Sequence, residues 1–185
     1  MKVAVFGGSF NPPHVGHVLA CALVLSVEDV ERVLVVPTFR HPFGKELAPF
    51  EERTRMCELA MGWLPGVEIS RVEQDLGGES RTLRTLERLG ELYPDWRLRL
   101  LIGADIVAEA PRWLGFDAIS RIAPPIVLGR AQVRSPSSVP VLLPEVSSTQ
   151  VREAIARGAW QEVEGRVPRA VLAHVRARGL YGSPA

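Results

Sequence analysis

Val3-Ala4-Val5-Phe6-Gly7-Gly8-Ser9-Phe10-Asn11-Pro12-Pro13-His14-Val15-Gly16-His17 opens the chain almost from its first residue. The short apolar run 3–6 stops at two glycines, as a buried strand does. Two prolines follow, and residues 15–25 are then rich in helix formers. A strand passing through glycines into a helix is the repeating unit of α/β sheets, and ligands bind where such strands end. Gly7 and Gly8 permit unusual dihedrals and close backbone approach. Free N–H groups at the turn and at the next helix start can cradle phosphate. His14 and His17, three apart, share one face of that helix start. There they can donate hydrogen bonds to charge developing on a phosphoryl group. Gly16 between them leaves room for a base or sugar. The pair has two other readings. A metal site needs a third ligand, which matching spacing does not offer; capping or core histidines need no ligand at all. The stretch is neither the Gly-x-Gly-x-x-Gly dinucleotide fingerprint nor a Walker loop.

Outward from this stretch, strands and helices alternate. Strands are expected at 3–6, 32–36, 67–69, 98–102, 126–128 and 139–143. Helices are expected at 15–25, 51–63, 82–92, 147–157 and 168–178, the last two stopped by Gly158 and Gly179. Met56, Leu59, Ala60 and Trp63 keep helical spacing, as do Leu83, Leu86 and Leu89. This alternation predicts a mostly parallel sheet covered on both faces. No internal repeat interrupts it, and 132–140 reads as a surface loop within one domain, 1–185. The loop 38–49, carrying Arg40, His41 and Lys45, is long for a compact domain and therefore marks function.

Composition narrows the class. The 185 residues are 46% hydrophobic and 23% charged, ordinary for a globular domain and unlike a disordered or fibrous chain. A net charge of +1 argues against a nucleic-acid partner. No stretch approaches the roughly 18 to 20 apolar residues of a membrane span, and the apolar run at the start is too short for a signal peptide. A cytoplasmic location is the expectation. Cys21 and Cys57 lie in apolar periodic segments and read as buried, reduced thiols.

The opening stretch closely resembles the signature of the bacterial nicotinate mononucleotide adenylyltransferase family, within the wider HxGH nucleotidyltransferase superfamily. Later blocks agree and keep the family's order: Arg53-x-x-Met56-x-Glu58-Leu59-Ala60, Ile102-Gly103-Ala104-Asp105 followed by Arg112-Trp113, Val146-Ser147-Ser148-Thr149-Gln150-Val151-Arg152, and Gly179-Leu180-Tyr181. The chain departs from the family where members read Pro-Pro-His-Lys (here residues 38–45), Ser-Tyr-Thr (here Ser80-Arg81-Thr82) and Arg-Pro-Gly (here Arg130-Ala131-Gln132).

The resemblance implies a Rossmann-like single domain that transfers AMP from ATP to nicotinate mononucleotide, giving deamido-NAD and pyrophosphate. Nicotinamide mononucleotide or another small phosphate is the alternative acceptor; a nucleotide-binding regulator without turnover is the alternative class. Mg²⁺ is expected to arrive on the ATP phosphates, with no protein metal site. The resemblance assigns His14, His17, Lys45 and Arg152 to the transferring phosphates. Gly7, Gly8, Ser9, Phe10, Gly16, Gly103, Asp105, Ser147 and Thr149 go to ATP, and Asn11, Arg81, Thr82, Arg84 and Trp113 to the acceptor. Each has a plainer reading. Ser147 to Thr149 suit an ordinary helix cap, and Asp105 another. Trp113 suits the core. Lys45, Arg81, Arg84 and Arg152 suit solvent.

Overall fold

The computed structural model describes residues 1–107, 113, 115–130 and 138–182, without the side chains of Asp105, Ile106, Arg130 and residues 138–142. Arg112, Ala131 and residues 132–137 of the expected loop lie outside it. The strands are β1 (Lys2–Gly8), β2 (Arg32–Pro37), β3 (Val67–Ile69), β4 (Arg97–Gly103), β5 (Pro125–Arg130) and β6 (Ser138–Leu143). They form one six-stranded sheet in the order β3-β2-β1-β4-β5-β6, every pairing parallel. β1 lies between β2 and β4, so the strand order reverses there. That reversal opens a crevice beyond the carboxyl ends of the strands.

Side chains alternate across each strand and so build two cores. Ala4, Val33, Val35 and Leu101 face one layer; Val3, Val5, Leu34, Val36, Leu98, Leu100 and Ile102 face the other. The first layer is α1 (Val15–Val27), α2 (Phe50–Met61), α7 (Ser148–Ala156) and α8 (Arg169–Ala177). The second contains α3 (Val72–Leu76), α4 (Thr82–Leu92) and α6 (Phe116–Ile122), with the short α5 (Ala104–Val107) at the end of β4. Cys21 and Cys57 are buried free thiols in the first core. Burial pushes the Cys21 thiol up to about 12 and raises that of Cys57 as well, so neither ionises to a nucleophile.

The sequence reading holds for every strand to within a few residues, and α4 has the expected limits. It places Trp63 wrongly. The helix ends at Met61 with Gly62 as its C-cap. Trp63 lies beyond, 67% exposed, its indole N–H donating to the Ala60 carbonyl. The elements α3, α5 and α6 were not expected.

One side-chain staple joins α2 to α8. The Glu52 carboxylate accepts from Arg178 Nε and Nη2 at 2.9 and 2.6 Å and pairs with His174 Nε2 at 2.7 Å. The Arg178 guanidinium, and after it His174, hold the Glu52 carboxyl below the usual carboxylate range. A depressed folded pKa adds stability above the unfolded value, about 4.3, and that stability is lost as pH falls through the folded value. Glu52→Gln is therefore expected to melt several degrees below wild type near pH 7, with the gap closing below about pH 4. A gap independent of pH in thermal melts refutes the staple.

Candidate active site

β1 ends at Gly8, and the chain reaches α1 through residues 9–14. Gly7 and Gly8 keep ordinary extended dihedrals, contrary to expectation; the positive φ falls on Phe10, at 45°. Such a backbone costs of order 1 kcal/mol and persists only where its surroundings hold it. Here the Phe10 ring is buried against the end of β1, where a Cβ on Gly8 would come within 3.2 Å of it. Phe10 also meets the Phe6 and His17 rings edge-on, at 5.4 and 4.9 Å. Gly8 is glycine because Phe10 needs that space.

His14 is the N-cap residue of α1, and its ring stacks on that of His17, centroids 3.7 Å apart. The His14 main-chain N–H donates to His17 Nδ1 at 3.1 Å. Since Nδ1 accepts, a neutral His17 carries its proton on Nε2. The ring is boxed by Phe6, Phe10 and His14 and borders a cavity. It is a preoriented N–H donor. Gly16 leaves space for the His14 ring itself, which a Cβ would approach to 3.1 Å.

Two cavities meet at this point. The first, about 260 Å³, lies between His14, Gly16, His17 and Gly103 and the apolar side chains of Phe6, Leu128, Leu143 and Pro144. The second, about 460 Å³, is mixed, with Ser9, Thr38, His41, Glu73, Ser80, Arg81, Thr82 and Thr85 set among Val36, Leu86, Leu100 and Ile119. Gly7, Leu101, Ile102 and Trp113 border both. A Cβ on Gly7 would meet no atom within 4 Å, so Gly7 keeps the passage between them open. At the second cavity, α4 begins with no side-chain cap and no acidic residue in its first turn. Its leading N–H groups are thus available to an anion. Burial, and then the charge of Lys45, hold the His41 imidazole below its ordinary pKa.

The cytidylyltransferase-like family model matches residues 5–154. A "probable nicotinate-nucleotide adenylyltransferase" of Anaeromyxobacter sp. (strain K) is 45% identical over 97% of this chain and 96% of its own length. The chain belongs to the nicotinate-nucleotide adenylyltransferase family. A second member, from Myxococcus xanthus (strain DK1622), is 41% identical over 98% of this chain and 95% of its own. The Plasmodium falciparum nicotinic acid mononucleotide adenylyltransferase complexed with NaAD shares the fold, with a TM-score of 0.85 at 15% identity over 99% of this chain and 98% of that one.

Within this family frame, the structure gathers His14, His17, Gly7, Gly16, Gly103, Ser9, Thr82, Arg81 and Trp113 around the cavities. Asp105 lies in α5, its side chain outside those described. Other expected ligands are engaged within the fold or stand apart from the cavities. Asn11 is buried, its Oδ1 accepting from the Ala48 N–H at 3.1 Å and the Tyr181 hydroxyl at 2.9 Å. Phe10 is the buried wedge described above. Ser147 caps α7 by accepting from the Gln150 N–H, and Gln150 returns the bond. Arg152 donates to the Asn11 carbonyl at 2.8 Å and to Thr149 Oγ1 at 3.3 Å, while Ser148 donates to the Pro12 carbonyl. The bent 11–12 segment leaves carbonyls that need donors, and α7 supplies them. Arg84 turns from the cavity and donates to the Leu76 and Gly77 carbonyls, closing the end of α3. Arg81 pairs with Glu79. Lys45 is exposed and borders neither cavity. Sequence reasoning missed Glu73, Ser80 and Thr85. It noted His41 without giving it a role.

Two substitutions test the geometry. Gly7→Ala is expected to leave melting unchanged and to lower turnover at least about tenfold, because a methyl would enter the passage where reacting groups must align. Normal turnover would mean the cavities do not exchange groups there. His17→Ala is expected to lose about 10²- to 10³-fold in turnover, the usual cost of one transition-state donor, with circular dichroism preserved. Wild-type rates in that variant would remove His17 from the chemistry.

Proposed function

We propose that the chain transfers AMP from ATP to nicotinate mononucleotide in the cytoplasm, forming deamido-NAD and releasing pyrophosphate. The observation that carries this reading is the meeting of two cavities at Gly7, beside the His17 Nε2–H donor. The first cavity, walled by Phe6, Leu128, Leu143 and Pro144 beside the histidines, suits an adenosine, and the second, which holds the open start of α4, suits a phosphorylated pyridine riboside. An oxygen of the acceptor's 5′-phosphate attacks the α-phosphorus of ATP. The bond from that phosphorus to the bridging oxygen breaks, and the electron pair leaves with pyrophosphate. No covalent enzyme intermediate is required, so catalysis is alignment plus stabilisation of charge. His17 donates to a non-bridging oxygen of the α-phosphate as charge builds there. ATP enters as its Mg²⁺ complex. The imidazoles at the cavity are nitrogen donors, which suit phosphate oxygens better than a hard, oxygen-seeking cation, so the ion rides on the triphosphate and water.

The acid is the preferred acceptor because the open N-terminus of α4 offers N–H donors and the positive end of a helix dipole. A carboxylate uses both, whereas a carboxamide brings an NH₂ group that those donors cannot satisfy. Arg84 is not needed, since its guanidinium is held by the end of α3. Pyrophosphate release measured with each acceptor is expected to favour the acid at least about tenfold in specificity constant, roughly 1.4 kcal/mol. Arg84→Ala should keep that ratio. Equal use of acid and amide overturns the assignment of the acceptor, and absence of turnover with both overturns the function.

A further inference from the structure

Glu73 is a buried carboxylate on a five-residue helix, at the wall of the second cavity. It belongs to none of the motifs that carry the family likeness. Three segments converge on it. Its Oε2 accepts from the Phe39 N–H at 3.0 Å, in the loop after β2, and from the Ser80 hydroxyl just before α4. Its Oε1 accepts from the Thr85 hydroxyl at 3.0 Å, one turn into α4. Ser80 Oγ in turn accepts from the Phe39 N–H at 2.9 Å, and the Ser80 N–H donates to the Arg40 carbonyl at 2.9 Å. The two hydroxyls that Glu73 grips thus bracket the first turn of α4.

We propose that Glu73 is a positioning residue for the acceptor: its carboxylate clamps Ser80 and Thr85 to the loop after β2, so that the first-turn N–H groups of α4 are held open to the second cavity. The inference rests on the reading that this cavity takes the pyridine nucleotide. A carboxylate fits the place because it only accepts, and all three partners only need an acceptor there. It takes the hydroxyl proton of Ser80, which keeps that side chain turned from the helix end beside it, while the Thr85 hydroxyl, also 3.1 Å from the Arg81 carbonyl, ties the first turn of α4 to the carboxylate. That leaves the N–H groups to the ligand. The negative charge of Glu73 is met by three donors before any anion enters, so it does not stand as a bare charge against an acidic acceptor.

Glu73→Gln keeps shape but replaces one acceptor oxygen with an NH₂, so at least one of the three donors loses its partner. The expected result is an acceptor KM raised about tenfold or more, with the ATP KM within about twofold of wild type and a smaller preference for acid over amide. Ser80→Ala and Thr85→Val, which keep the charge and remove one grip each, are expected to raise the acceptor KM by about threefold apiece. They decide the matter if Glu73→Gln does not fold. Equal rises in both KM values, or a lower melting temperature with an unchanged acceptor KM, would show Glu73 to be structural only and overturn the proposal. Running every variant with both acceptors separates the two readings. Wild type preferring the amide removes the acid assignment, while the Glu73 effect is then read on the amide.

Discussion

A buried guanidinium ties the site together. Arg53, on α2, is 1% exposed, and burial is the first cause lowering its pKa. Its fork donates to the Ala48 carbonyl at 2.8 Å, the Ser9 carbonyl at 3.0 Å and the Phe39 carbonyl at 3.5 Å, and Phe50 lies over its face. Removing such a cation from water costs several kcal/mol, which only well-made hydrogen bonds offset. Those bonds join the two loops that follow β1 and β2. Ser9 borders the second cavity, and Phe39 passes the constraint to Glu73 through its own N–H. A lysine offers one compact charge in place of this fork and could not span the same three oxygens.

The walls of the crevice are therefore positioned from below. β1 ends between its neighbours, Gly7 opens the floor, and each loop is pinned by donors from a helix behind it. Arg53 acts for one side. Arg152 and Ser148, reaching the Asn11 and Pro12 carbonyls from α7, act for the other. The histidines stand at the centre of this frame with little freedom, which is the condition for a donor that need not reorganise as charge develops.

What could be read from the sequence follows from how far apart the cooperating residues lie. The strands, the long helices and the Gly-Gly exit with its paired histidines are local patterns, and local patterns survive in one dimension. Helices α3, α5 and α6 were invisible because 5, 4 and 7 residues do not display a 3.6-residue period. Glu73 was hidden for a second reason. Its partners come from residues 39, 80 and 85, and nothing in their spacing announces a meeting. The expected ligands that are bonded within the fold share a cause as well. Asn11, Ser147, Arg84 and Arg152 have polar groups that could serve a ligand, but tight turns and helix ends create main-chain groups needing partners first. Only the folded geometry says which demand is met.

Tyr181 has a consequence for how this site is born. Its hydroxyl holds Asn11, 170 residues earlier, within the turn that leads to the paired histidines. A ribosome adding roughly 5 to 20 residues per second needs about 10 to 30 s to cover that distance. Throughout that interval the nascent chain carries the histidine turn without its last tether. The sheet can grow vectorially as strands emerge, but this contact is among the longest in sequence that the fold must close. The turn before the paired histidines thus waits for the tyrosine to clear the exit and find its asparagine.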